Sequence, residues 1–220
     1  MNIKDNIRNL LDYIPDYVNL IAVSKTKPLE DLEEAYKCGI RDFGENKVQE
    51  LCEKYENFHK DVRWHLIGHL QKNKVKYIVG KVHLIHSLDS ISLVKELEKR
   101  FSKENIVANT LIQLNIGRES QKYGVLEEDI YDIIKEIEKC NNILVKGLMV
   151  IIPKGSKEEN IKYFRKTKEI FEKLKNQEFN NISMEILSMG MTHDYEEAID
   201  EGSNLIRVGE GIFGKRNYIN

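Results

Sequence analysis

Residues 20–28, Leu20-Ile21-Ala22-Val23-Ser24-Lys25-Thr26-Lys27-Pro28, decide how this chain is read. Four apolar residues lead into Ser-Lys-Thr, Pro28 stops the run, and Asp31, Glu33 and Glu34 open a helix behind it. The stretch reads as the first βα unit of a parallel α/β fold, its strand covered on both faces. Chemistry in such folds gathers at the carboxyl ends of the strands, where Lys25 falls. A lysine at that place is either a solvated strand-end cation or an amine able to form an imine with a carbonyl ligand. The rest of the chain has to choose between them.

Outward from this unit the pattern repeats. Short, mostly apolar strands are expected at 20–26, 42–45, 62–68, 82–88, 110–116, 145–152, 184–189 and 204–208. Helical periodicity fills the intervals at 29–38, 47–55, 91–101, 129–140, 159–174 and 195–199, and an extra helix at 3–13 precedes the first strand. Gly39, Gly80 and Gly202 sit where helices close. Eight βα units within about 200 residues, with no Pro/Gly/Ser-rich linker, predict an α/β fold: one (β/α)8 TIM barrel spanning 1–220 with an added N-terminal helix.

The chain's 34 basic side chains nearly balance its 36 acidic ones, so no overall field favours nucleic acid or an anionic membrane. Lys72, Lys74, Lys76 and Lys81 read as a solvated helix face. No apolar run is long enough to span a bilayer and the first residues carry no signal-like core, so a cytoplasmic protein is expected. Cys38, Cys52 and Cys140 are too scattered for a disulfide framework or a Cys-x-x-Cys metal site and are expected to be reduced.

Two loops near the end suggest an anion. Ser188-Met-Gly190-Met191-Thr192-His193-Asp194 runs from a strand into a helix, offering a hydroxyl, a flexible glycine and helix-start amides. Arg207-Val-Gly209-Glu210-Gly211-Ile-Phe-Gly214 follows the next strand, and barrels commonly hold phosphate after strands seven and eight. Gly209-x-Gly211-x-x-Gly214 has the form of a dinucleotide fingerprint, but the further strand and distant acidic residue that reading needs do not follow before Asn220. An amine on strand one and a phosphate cradle after strands seven and eight suit a small molecule with an aldehyde at one end and a phosphate at the other. Pyridoxal 5′-phosphate is such a molecule.

Over nearly its whole length the sequence resembles the pyridoxal-phosphate homeostasis proteins, a family similar in fold to the N-terminal barrel of alanine racemase. The resemblance is carried by Ala22-Val-Ser-Lys25-Thr-Lys-Pro28, Phe43-Gly-Glu-Asn46, Trp64-His-Leu-Ile-Gly68 with Leu70-Gln71 and Asn73-Lys74, Asn115 with Glu119, Lys122 and Gly124, Gly147-Leu-Met149, Ser188-Met-Gly-Met191, and Arg207-Val-Gly209 with Ile212-Phe-Gly214. It implies that Lys25 holds pyridoxal phosphate as a Schiff base. It also implies that Ser188 and the backbone around Gly190, Gly209 and Glu210 hold the phosphate, and that Arg207 faces the pyridine nitrogen. Asn46, Met149 and Met191, with Trp64 and His65, are expected near the pocket. Two positions depart from the family pattern: Glu210 brings a carboxylate to the phosphate loop, and Lys47 replaces an aromatic or arginine.

The implied role is a carrier, expected to be monomeric, that buffers pyridoxal phosphate and delivers it to pyridoxal-phosphate-dependent enzymes without robust catalysis. Chemistry agrees with it. An amine attacks an aldehyde only when neutral, a form that burial beside a cation such as Arg207 favours. A guanidinium only donates, so a pyridine nitrogen facing it stays unprotonated and the ring becomes a weaker electron sink. The alternative is an amino-acid racemase, which needs a second base that alanine racemases take from a second domain, not expected here. A phosphate-binding module without cofactor is a third class. No metal is expected: His65 and His69 do not share a helical face, and strand alternation sets His83 and His86 on opposite sides.

Overall fold

Eight short parallel strands close on themselves in the computed structural model, which describes residues 2–215. The outer residues of the expected 1–220 unit, Met1 and 216–220, lie outside the described residues. Helix α1 (Ile3–Tyr13) comes first, started by Asn2, whose side chain accepts from the Lys4 amide at 2.9 Å. It buries Ile3, Ile7 and Leu10, and buried Asn6 donates to the Ile212 carbonyl at 2.8 Å, tying the front of the chain to its end.

The strands follow in order: β1 (Asn19–Val23), β2 (Asp42–Glu45), β3 (Arg63–Leu66), β4 (Leu84–Leu88), β5 (Ala108–Leu114), β6 (Ile143–Val150), β7 (Ile182–Met191) and β8 (Leu205–Val208). Each pairs in parallel with its successor, and β8 returns to β1 through Ile21 opposite Arg207. Between them run α2 (Leu29–Lys37), α3 (Val48–Asn57), α4 (Val75–Ile78), α5 (Ile91–Lys103), α6 (Ile130–Ile137), α7 (Lys157–Lys175) and α8 (Tyr195–Asp200), and α9 (Glu210–Phe213) follows β8. Their apolar stripes explain the packing: α6 buries Ile130, Ile133, Ile134 and Ile137 at helical spacing, and α7 starts with a Ser156/Glu159 capping box. Most of the core lies between sheet and helices, while Ile21, Leu84, Leu111, Met149 and Leu205 form a separate apolar cluster inside the barrel.

The expected (β/α)8 architecture and its extra first helix are observed. Boundaries shift where local geometry intervenes. Strand β1 stops at Val23 because a turn begins at Ser24, and β4 starts at Leu84, leaving His83 outside the strand. Strand β7 continues two residues past the expected end at 189 to Met191, so Gly190 belongs to it and Ser188 stands well inside it. The interval between β3 and β4 holds a 3₁₀ turn at Lys72–Lys74 and the four-residue α4, too short for a clear periodic signal. Among the described residues no helix is long and apolar enough to cross a membrane.

One backbone position admits little change. Gly147 adopts φ +149 where the β6–β7 register shifts, and a Cβ there would overlap the Ile186 carbonyl. Gly147→Ala is expected to lower unfolding stability by about 2–3 kcal/mol or more, measured by urea denaturation.

Candidate functional site

A cavity of about 620 Å³ opens at the carboxyl ends of β1, β7 and β8, a size suited to a small ligand. Its wall includes Val23, Lys25, Asn46, Ile67, Ile151, Met191, Thr192, Arg207, Gly209 and Glu210.

Lys25 lies in a turn clamped on several sides. The Lys27 amide closes the turn onto the Ser24 carbonyl at 3.0 Å, and Thr26 takes φ +63, unusual for a β-branched residue. Holding such a conformation costs on the order of 1–3 kcal/mol, so surrounding bonds must impose it. They are present. From α3, Lys54 Nζ donates to the Ser24 carbonyl at 2.8 Å, and Glu50 Oε1 accepts from the Thr26 amide at 2.6 Å. Ser24 Oγ donates to Glu45 Oε1 at 2.6 Å, and Lys54 bridges Glu45 and Glu50 at 2.8 Å each. Lys27 Nζ donates to the Phe213 carbonyl at 2.8 Å, joining this turn to α9. Burial pushes the Glu45 carboxyl up to about 7 against the pull of Lys54, and its Oε2 has no hydrogen-bond partner among the described residues.

Arg207 forms part of the cavity floor and is itself buried, 3% exposed. Its Nη1 donates to Ser188 Oγ at 2.6 Å and its Nη2 to the Val150 carbonyl at 2.9 Å. Burial lowers its pKa to about 10, with Asp194 pulling the other way, so the group remains a cation at neutral pH. Asp194 in turn accepts from the Met191 amide and ends the β7 loop.

The structure brings Lys25, Asn46, Met191, Arg207, Gly209 and Glu210 around one volume. Ser188 and Met149 stand elsewhere, fully buried in the barrel interior beneath it, and Ser188 Oγ is occupied by Arg207. Gly190 takes φ +95 and lies tight against α8, where a Cβ would come within 2.7 Å of the Ala198 Cβ. The Glu210 carboxylate sits 4.0 Å from His193 Nε2, whose side chain is 82% exposed, so both side chains stand at the rim. Lys47 is exposed at the start of α3 and is not among the lining residues. His83 and His86 both approach His65, at ring separations of 5.4 and 5.3 Å, since alternation does not govern a residue outside the strand. Glu50 and Lys54 were not anticipated; their only sequence signal is an i,i+4 acid–base pair. Among the described residues no group of three or more His, Cys, Asp or Glu is arranged to hold a metal.

The family model for the alanine racemase N-terminal domain matches residues 1–217. The chain is 45% identical over 201 residues to the pyridoxal phosphate homeostasis protein of Aquifex aeolicus, covering 90% of this chain and 87% of that protein. The chain belongs to the pyridoxal phosphate homeostasis protein family. A second member of that family, from Haemophilus influenzae, is 40% identical over 205 residues, covering 91% of this chain and 86% of that protein. The solved structure of PipY from Synechococcus elongatus, determined with PLP bound, superposes with a TM-score of 0.89 at 32% identity, covering 96% of this chain and 100% of that one. Alanine racemase of Clostridium difficile shares the fold, with a TM-score of 0.81 at 16% identity, covering 100% of this chain and 57% of that one.

The Lys25 clamp is directly testable. Lys54→Met leaves Glu45 buried without its cation and is expected to cost about 3 kcal/mol of stability, while Glu45→Gln in the same chain restores part of the loss. A double-mutant cycle by chemical denaturation measures the coupling.

Proposed function

We propose that this cavity holds pyridoxal 5′-phosphate and that the protein keeps and delivers the molecule to pyridoxal-phosphate-dependent enzymes without turning over amino acids. The observation that carries this reading is the meeting of Lys25, Arg207 and the two loops after β7 and β8 on one cavity. The bound PLP of the PipY structure and the name shared by the curated relatives support it. The donor set fits the ligand: an amine for the aldehyde, a donor-only cation for the ring nitrogen, and the Thr192 hydroxyl and loop amides for the phosphate. When bound, the group supplies a carbonyl carbon that links reversibly to an amine.

The chain's residues then divide the work. Lys25 anchors the aldehyde end from its clamped turn, and Asn46 stands beside it on the wall. Met191, Gly209 and Glu210 surround the phosphate with backbone groups, and the Gly211 amide already bonds Thr192 Oγ1 at 3.3 Å, joining the two loops. The Glu210 side chain stays at the rim with His193. Ser188, Gly190 and Met149 act from behind the wall: Ser188 holds Arg207, Gly190 lets β7 close onto α8, and Met149 fills the interior. Arg207 cannot hand a proton to a ring nitrogen, so that nitrogen accepts from it and remains unprotonated. A weak electron sink suits a carrier better than a racemase.

Borohydride reduction of the protein loaded with pyridoxal phosphate, followed by peptide mass spectrometry, is expected to place the adduct on Lys25. Lys25→Ala is expected to abolish the ligand's visible band with folding nearly intact. An adduct mainly on Lys27, Lys47 or Lys122 overturns the assignment. Pyridoxal phosphate at about 100 times its dissociation constant is expected to stabilise the protein by roughly 2.7 kcal/mol, with pyridoxal doing much less. Racemisation or decarboxylation of amino acids at about 1 per second or faster would replace the carrier reading with the enzyme one.

A further inference from the structure

A continuous polar chain crosses the interior of the barrel. It starts at Arg207 on the cavity floor, whose Nη1 lies 2.6 Å from Ser188 Oγ. Ser188 Oγ is 3.2 Å from His86 Nδ1, His86 Nε2 is 3.1 Å from His65 Nδ1, and His65 Nε2 is 2.9 Å from Asp42 Oδ1. Asp42 and Arg63 are the first residues of β2 and β3, so the chain ends at the mouth opposite the cavity, where Arg63 pairs with Asp42. Ser188, His86 and His65 are buried, and the Asp42 side chain is 17% exposed. Asp42, His65 and His86 take no part in lining the cavity.

The two ends fix the direction of every bond between them. A guanidinium has donors and no acceptor, and a carboxylate has acceptors and no donor. With one proton on each imidazole, a single arrangement satisfies the chain. Arg207 donates to Ser188, Ser188 donates to His86 Nδ1, His86 donates from Nε2 to His65 Nδ1, and His65 donates from Nε2 to Asp42. Each ring nitrogen and the hydroxyl is then used once in each required sense, and no member is left unbonded beside the apolar cluster of Ile21, Leu84, Leu111, Met149 and Leu205. Bonds aligned head to tail polarise one another, so their negative ends all face Arg207.

We infer that Asp42, His65 and His86 are positioning residues for Arg207: with Ser188 they form a one-way hydrogen-bond relay that holds the guanidinium at the cavity floor and keeps its outer face a pure donor. This rests on the reading that the cavity takes pyridoxal phosphate with its ring nitrogen toward Arg207. The relay donates away from the ligand, so it delivers no proton to that nitrogen unless every member reverses. Burial holds the His86 imidazole neutral, its pKa well below the ordinary value, and the nearby Arg207 cation acts in the same sense. Burial resists ionisation of Asp42, but bonds from His65 and Arg63 outweigh it and bring its carboxyl down to about 2. Both ends therefore carry the charges the relay requires.

The relay is read first without ligand. Long-range proton–nitrogen NMR of the histidine-labelled protein near neutral pH is expected to show His65 and His86 as Nε2–H tautomers. An Nδ1–H tautomer or a doubly protonated ring at either position overturns the relay. Asp42→Asn, remote from the cavity, and Ser188→Ala, at the junction with Arg207, are then each expected to weaken pyridoxal phosphate binding about tenfold, the size of a lost hydrogen bond to a charged group. Both are expected to shift the pH profile of the bound ligand's absorbance in the same direction, a signature that general destabilisation does not produce. If both variants bind with unchanged affinity and spectrum, the relay is overturned while the cofactor reading stands. If the unmodified protein takes up no pyridoxal phosphate yet both histidines show Nε2–H, the cofactor reading fails and the relay remains as the structure of the barrel interior.

Discussion

A guanidinium buried inside the closed barrel is the constraint around which the site is built. Arg207 is 3% exposed, and an unpaired cation at that depth would be prohibitively costly. The fold meets the demand with Ser188 Oγ from the adjacent β7 and the Val150 carbonyl from β6, one strand further on. Ser188 can serve only if its own proton has an acceptor, which brings in His86, and the same accounting carries the chain to His65 and Asp42. One charged side chain at the end of β8 thus dictates a polar residue on β7, β4, β3 and β2 in turn. The requirement is geometric as well as chemical, since each partner must point inward from its own strand.

The lysine side of the cavity answers a different demand with similar means. Lys25 sits in a turn whose Thr26 conformation is unfavourable on its own, and the bonds from Lys54, Glu50 and Glu45 outweigh that cost. The Glu45–Lys54 pair is buried, so its Coulombic gain is largely consumed by desolvation. What it supplies is position: Lys54 reaches the Ser24 carbonyl only because Glu45 and Glu50 hold its ammonium from two other directions. All of these bonds are made within the protein, and groups held in this way lose less freedom on binding.

The fold was legible because eight apolar runs, each followed by a helical period, admit few parallel arrangements. Lys25 was legible because it stands at the polar end of such a run, and Arg207 through the resemblance to the pyridoxal-phosphate homeostasis proteins. Residues acting through a partner were not. Glu50 and Lys54 have the spacing of a solvated helix pair, and only the packing of α3 against the β1 turn turns them inward. Ser188 beside Gly190 reads as the start of a phosphate loop, but β7 runs on to Met191, which leaves Ser188 inside the barrel and not at its mouth. Alternation assigned His83 and His86 to opposite faces, but this holds only for residues within the strand, and β4 begins one residue after His83. The side-chain network of the interior is a tertiary property, set by which strands are neighbours and by their register.

The direction of that network also bears on what a shared fold implies. Alanine racemase of Clostridium difficile has the same barrel at 16% identity, a likeness that fixes where strands and loops lie and leaves chemistry open. Chemistry is set by which atoms face the cavity and in what protonation state. Here the floor is a cation that only donates, and the chain behind it runs away from the cavity to a carboxylate at the far mouth. Converting such a floor into one that protonates a ligand takes more than a change at Arg207, because an acidic side chain there would meet a serine and two imidazoles ordered to receive donors. The polarity is held by five residues on five strands, and it is in this sense that the barrel interior, and not the cavity wall alone, limits what the site can do.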